Sequence, residues 1–255
     1  MPLEIVTLPV LKDNYVYLLH DAQTGATAVV DVPEAAPVMA ALDQRGWNLS
    51  QIVLTHHHWD HVQGVDELKA ATGAQVIGAK ADAHRLPDLD SAVSEGDTVS
   101  ICGEPAQVLD VSGHTVGHIA YHLPETGAAL TGDSLMALGC GRLFEGTPDM
   151  MWNSLSKLAA LPADTIVCSG HEYTQANGNF AATIEPDNAA LMSRREAVSA
   201  ARVAGQPTVP SVLSEELATN PFLRASLPQV KASLGMADSS DAEVFAEIRR
   251  RKDRF

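Results

Sequence analysis

The chain has 255 residues, 45% of them hydrophobic, which is enough for one large domain or for a domain of ordinary size with a smaller partner, without a disulfide staple. Its formal net charge of -15 argues against a nucleic-acid partner, whose phosphates such a surface repels. Three scattered cysteines, Cys102, Cys140 and Cys168, are odd in number and never form a CxxC pair, which argues against a disulfide framework or a cysteine-rich zinc site and for a reducing compartment.

Short strand-like runs rich in β-branched and aromatic residues come first: 5–10, 15–19 and 26–32. A helical stretch follows Pro33, over 34–45. The short apolar run 51–54 then reads as a strand that delivers a cluster of histidines. Helix is expected over 66–72 and strand over 74–79, and a second series of strands over 98–101, 106–111, 119–123 and 128–130. A helix over 149–161 and a strand over 165–168 close this part. Beyond Gly170, runs rich in Ala, Glu, Leu and Arg suit helices over 174–183, 187–204, 214–218 and 241–252, punctuated by Pro207, Pro210, Pro221 and Pro228. The pattern predicts an α/β domain over 1–172 and a small helical domain over 173–255. The first residues have no basic n-region or apolar h-region, and no run approaches the ~18 apolar residues of a membrane helix. The expectation is a cytoplasmic protein with no membrane partner.

The chemistry concentrates in Thr55-His56-His57-His58-Trp59-Asp60-His61. Residues i and i+2 of an extended segment share a face, so His56 and His58 are expected to grip one ion while His57 turns away. Asp60 and His61 open the next helix-like stretch and can reach a second ion. Imidazole and carboxylate without thiolate is a ligand set for Zn, Mn or Fe in hydrolysis. Three further strand ends carry candidates: His114 in the turn Ser112 to His118, Asp133 in Thr131 to Ser134, and His171 in Cys168 to Tyr173. One carboxylate with two oxygens can bridge two ions. Asp31, at another strand end, can orient a ligand histidine by accepting its second N–H. His118 is a further candidate for that supporting role. Trp59 is expected to pack under the loop, and His20, His57, His84 and His122 to be surface or packing residues.

These stretches resemble the metallo-β-lactamase superfamily. Gly139-Cys140-Gly141-Arg142-Leu143-Phe144, Asn220-Pro221-Phe222 and the basic tail Arg249 to Arg254 resemble, within it, the glyoxalase II (hydroxyacylglutathione hydrolase) family. The resemblance implies an αββα sandwich followed by the small helical domain. It implies two divalent metal ions, zinc first and iron or manganese next. His56, His58 and His114 would hold one ion, and Asp60, His61 and His171 the other. Asp133 would bridge both, with a hydroxide between the ions. It implies hydrolysis of S-D-lactoylglutathione and related 2-hydroxyacylglutathiones to D-lactate and glutathione, the second step of methylglyoxal detoxification, by a monomer or weak homo-oligomer. Arg142, Phe144, Tyr173, Arg249 and Lys252 stand at the family's glutathione-contacting positions. Two of them depart from its frequent pattern, which has lysine at Arg142 and tyrosine at Phe144. The competing readings are a mononuclear iron dioxygenase acting on glutathione persulfide, and a non-catalytic metal-binding module.

Overall fold

Strand β1 (Glu4–Val10) turns through Leu11, at φ 50°, into β2 (Asn14–His20), and the two pair antiparallel with Leu8 opposite Val16. The computed structural model describes residues 2–255. β2 is buried along its whole length, as its run of Tyr, Val and Leu requires, and β3 (Ala26–Val30) pairs with its other edge. Helix α1 (Ala35–Arg45) ends on Gly46 in the left-handed region, a glycine C-cap, and carries the chain back to β4 (Asn48–Val53), which runs parallel to β3. The sequence shows only the apolar end of β4. Its first residues include exposed Asn48 and Ser50, whose polarity conceals the strand. The short helix α2 (Trp59–Val62) and helix α3 (Val65–Thr72) cross to β5 (Gln75–Ala79), and β6 (Ser91–Val93) completes a six-stranded mixed sheet in chain order.

A second sheet continues as a meander: β7 (Thr98–Ile101), β8 (Glu104–Asp110), β9 (Ile119–Leu123) and β10 (Ala128–Gly132), each antiparallel to the last. Alternation along β8 buries Ala106 and Val108. Two hydrogen bonds fasten this meander to the end of β4, where the histidine run begins. The Tyr121 hydroxyl donates to the Leu54 carbonyl (3.0 Å) and the Ile119 amide to Thr55 O (3.0 Å).

By contacts the chain divides into two units. The first holds the elements above, residues 1–110 and 116–132; the second holds residues 111–115 and 133–255. In the second, β11 (Leu135–Met136) and β12 (Gly139–Cys140) form a two-residue ladder. Helix α4 (Pro148–Ala159) starts with Pro at N1 under a Thr147 cap, and β13 (Ile166–Ser169) pairs with β14 (Ser211–Val212). Helices α5 (Thr174–Ile184), α6 (Ala189–Val203), α7 (Leu213–Thr219), α8 (Pro228–Ser233) and α9 (Asp241–Arg254) complete the unit. The last opens with a full capping box, Ser240 and Glu243 each bonding the other's backbone N–H. Phe180 on α5, Phe222 and Phe245 on α9 form a buried aromatic chain, with ring centroids 6.1 and 5.8 Å apart. Among the described residues, no helix is long and apolar enough to cross a membrane.

Candidate metal centre

In the first unit, the chain leaves β4 at Val53 and within eight residues presents His56, His58, Asp60 and His61. The His56 ring centroid lies 4.8 Å from that of His58 and 4.1 Å from that of His61. His57 turns away, its Nδ1 2.9 Å from Asp82, as the alternation predicts. Asp31 supports the cluster from the end of β3. One of its oxygens accepts the Thr55 amide (2.9 Å); the other accepts the Thr55 hydroxyl (2.8 Å) and lies 2.8 Å from His61 Nδ1. To reach them Asp31 holds φ 57°, a left-handed conformation uncommon for any residue but glycine and tolerated best by Asn and Asp. His118 stacks on His56 at 4.6 Å and 12°. Gly132, at φ +48°, lies so close that a Cβ there would stand 2.5 Å from the Thr55 hydroxyl.

Two supports of this cluster carry no signal in the sequence. Asn14 donates to both the carbonyl (3.0 Å) and the carboxylate (3.1 Å) of Asp60. Asp82, buried under His57, also pairs with Arg85, whose guanidinium bonds the Val116 carbonyl. Trp59 corrects an expectation. It is 64% exposed, because it is the first residue of the four-residue α2 and points off the helix into solvent.

In the second unit, Asp133 faces two imidazoles. A single carboxylate oxygen lies 3.4 Å from His114 Nε2 and 3.2 Å from His171 Nε2. Two ligand atoms on one tetrahedral zinc stand about 3.3 Å apart, given bonds of about 2.0 Å, so each pair has the spacing of atoms that share an ion. His114 Nδ1 is 2.7 Å from the Arg142 carbonyl, which can only accept, so Nδ1 carries the proton and Nε2 keeps its lone pair. His61 is set the same way by Asp31. Each unit therefore offers an imidazole locked in a ligating tautomer beside a carboxylate. The donor chemistry fits a divalent cation.

The expected substrate residues also fall in the second unit. Arg142, with its side chain 62% exposed, holds its guanidinium 5.8 Å from the ring of the exposed Phe144. Phe144 meets His114 edge-on at 5.3 Å, and Tyr173 stacks on His171 at 4.8 Å and 4°. Lys252 Nζ lies over the rings of Phe180 and Phe255 and bonds the Ala176 carbonyl. Burial, then the neighbouring charge of Arg249, lowers its pKa, against the pull of Asp253 and Cys140. Arg249 differs from these: it is buried, and its fork is turned onto Cys140 and Asp253. Burial raises the thiol pKa of Cys140 to about 11, and those of Cys102 and Cys168 to about 12, so all three are inert thiols.

The chain is similar to known proteins along nearly its whole length. Residues 13–171 match the metallo-beta-lactamase superfamily, and residues 172–255 match the family described as hydroxyacylglutathione hydrolase C-terminus. The chain is 68% identical, over the full length of both, to a protein of Cereibacter sphaeroides (strain ATCC 17025 / ATH 2.4.3) named hydroxyacylglutathione hydrolase. It is 65% identical, again over both full lengths, to one of the same name from Ruegeria pomeroyi. Among solved structures it is similar to the BLEG-1 B3 metallo-beta-lactamase, with a TM-score of 0.67 at 19% identity, covering 86% of this chain and 99% of that one. It is similar as well to ETHE1 from Myxococcus xanthus, with a TM-score of 0.67 at 24% identity, covering 98% and 90%. The fold is thus the expected metallo-beta-lactamase fold with a helical C-terminal part. The superfamily match and the His/Asp clusters together support divalent metal binding.

Proposed function

The chain belongs to the hydroxyacylglutathione hydrolase family of the metallo-beta-lactamase superfamily, and we propose that it hydrolyses S-D-lactoylglutathione and related 2-hydroxyacylglutathiones to D-lactate and glutathione. This is the second step of methylglyoxal detoxification. The observation that carries the reading is the Asp133 carboxylate held between His114 and His171, with Arg142, Phe144 and Tyr173 around the same two rings.

Two divalent ions, zinc before iron or manganese, complete the site in this proposal. His56, His58 and His114 would hold one, Asp60, His61 and His171 the other, and Asp133 would serve both. When bound, such cations bring the pKa of water down to about 7 and polarise a carbonyl. The chain's own residues do the rest. Asp31 and the Arg142 carbonyl keep the Nδ1 protons of His61 and His114 in place, so each ring presents Nε2. Asn14 fixes the Asp60 carboxylate. Arg142, Arg249 and Lys252 supply local positive charge on a chain of net charge -15, which an anionic peptide thioester needs if it is to approach. Tyr173 and Phe144 offer ring faces and edges to the peptide. Glutathione thiolate is a good leaving group, so no side-chain acid is required at sulfur.

Every residue in this reading comes from one chain, so a monomer or a weak homo-oligomer suffices. Three buried free thiols suit a reducing cytoplasm. The persulfide dioxygenase and the non-catalytic module are not favoured, because full-length relatives at 57% identity and above carry the hydrolase name. The test is hydrolysis of S-D-lactoylglutathione by the metal-loaded protein, with loss of activity in His58→Ala. A metal-loaded protein inactive on every glutathione thioester overturns the proposal.

A further inference from the structure

Arg249 has an unusual setting for a residue expected to meet a soluble anion. It is 7% exposed, and its guanidinium lies 5.2 Å from the centre of the Phe222 ring. Its Nη1 donates to the Cys140 carbonyl (3.1 Å). Its Nε donates to one oxygen of Asp253, one turn further along α9, at 3.0 Å, and its Nη2 forms an ion pair with the same oxygen at 2.8 Å. Two hydrogen bonds, an ion pair and a ring face thus fix the plane of the guanidinium, and the carbonyl it grips belongs to the strand β12.

The two residues after Cys140 carry that grip to the candidate metal ligands. Gly141 donates its N–H to Ser134 O (3.1 Å) and is packed so tightly that a Cβ would stand 2.0 Å from the Asp133 carbonyl and 2.9 Å from His114 Nδ1. The next carbonyl, of Arg142, is the one that lies 2.7 Å from His114 Nδ1. A three-residue strip of backbone therefore runs from the Arg249 fork to the ring of His114, with no slack at its middle residue. Asp253 stands at the far end of the strip as well, 3.8 Å from Arg142 Nε.

We infer that the Arg249–Asp253 pair is a positioning device for His114. It acts through the Cys140–Arg142 backbone and is distinct from any charge that Arg249 lends to the substrate. The inference rests on the reading of His114 as a metal ligand. Supporting groups of this kind hold the tautomer and direction of a ligand ring, and losing one costs about 10–100-fold in metal affinity. Lysine cannot replace the arginine here, because a single ammonium cannot reach Cys140 O and Asp253 together in the fork's geometry.

The experiment measures metal binding in competition with a chromophoric chelator, for zinc and cobalt, together with the visible d–d spectrum of the cobalt-loaded protein. Arg249→Lys is expected to weaken metal binding about tenfold or more and to alter the cobalt spectrum. Asp253→Asn is expected to move both in the same direction, and it carries the test if Arg249→Lys does not fold. Turnover adds a second axis: kcat falls along with metal affinity, instead of KM alone rising. Unchanged metal affinity and cobalt spectrum in Asp253→Asn and in folded Arg249→Lys, with only KM raised, would overturn the inference and leave Arg249 a substrate contact. Because metal binding is read without substrate, a failure of the proposed thioester activity would not be confused with a failure of this inference.

Discussion

One oxygen of Asp31 lies 2.8 Å from His61 Nδ1, and the same carboxylate accepts the Thr55 amide and hydroxyl two residues after β4 ends. The side chain thus fixes both the start of the histidine run and one of its rings. Asp31→Asn keeps an acceptor for the Thr55 amide, yet its NH2 group presents a donor where the second oxygen stood. His61 must then change tautomer or turn. Metal affinity is expected to fall about 10–100-fold with the fold intact. Metal titration alongside circular dichroism reads this, and unchanged affinity would remove Asp31 from the positioning role.

Gly132 and Gly127 separate close packing from backbone strain. Both have positive φ, +48° and +70°, but a Cβ at Gly127 meets nothing within 4 Å, whereas one at Gly132 would stand 2.5 Å from the Thr55 hydroxyl and 3.0 Å from His118. Gly127→Ala is expected to cost only left-handed strain, about 1–3 kcal/mol. Gly132→Ala must cost more, because Thr55 is fully buried and tied to Asp31 and cannot retreat. Urea denaturation of the two variants gives the comparison, and equal losses would show that the contact yields easily.

The site was legible in the sequence to the extent that its chemistry is local. His56 to His61 form one short run, and the alternation placed His57 away from its neighbours. Asp31 could be suspected because it is a carboxylate that ends a strand before the run and can accept a histidine N–H. Asn14 and Asp82 could not be found that way. Asn14 reaches Asp60 from the first residue of β2, 46 residues distant, and Asp82 sits in a short 3-10 turn that reads as surface. The strands missed in the fold, β6, β11, β12 and β14, have two or three residues each, too few to show a period. Trp59 misled through its apolar bulk, since at the head of a single helical turn it has no layer above it to pack against.

Phe144 is 60% exposed, its ring edge-on to His114 and beneath the Arg142 guanidinium. The resemblance to the glyoxalase II family implies tyrosine as the frequent residue at this position. A hydroxyl added to a ring this exposed gives a peptide carbonyl or amide one more partner. A net hydrogen bond of about 0.5–1.5 kcal/mol corresponds to a KM about twofold to tenfold lower in Phe144→Tyr, with kcat unchanged. If KM does not move, Phe144 contributes only its ring.

In the proposed substrate site, Lys252 predicts a pH dependence of definite sign. Burial, then the positive charge of Arg249, lowers its pKa from the ordinary 10.5, while Asp253 and Cys140 oppose the shift. Only the charged form attracts a carboxylate. As pH rises, binding of an unreactive S-alkyl glutathione should therefore weaken at a lower pH than an ordinary lysine would give. Stability moves the other way. The unfolded chain keeps that proton when the folded one has lost it, so between the two pKa values the Lys252 contribution to stability rises with pH. Lys252→Arg stays charged throughout and should flatten the binding curve while forgoing the gain in stability. Calorimetric binding and thermal melts, each compared between wild type and variant from neutral pH upwards, read the two slopes. Parallel binding curves would show that Lys252 does not hold the anion.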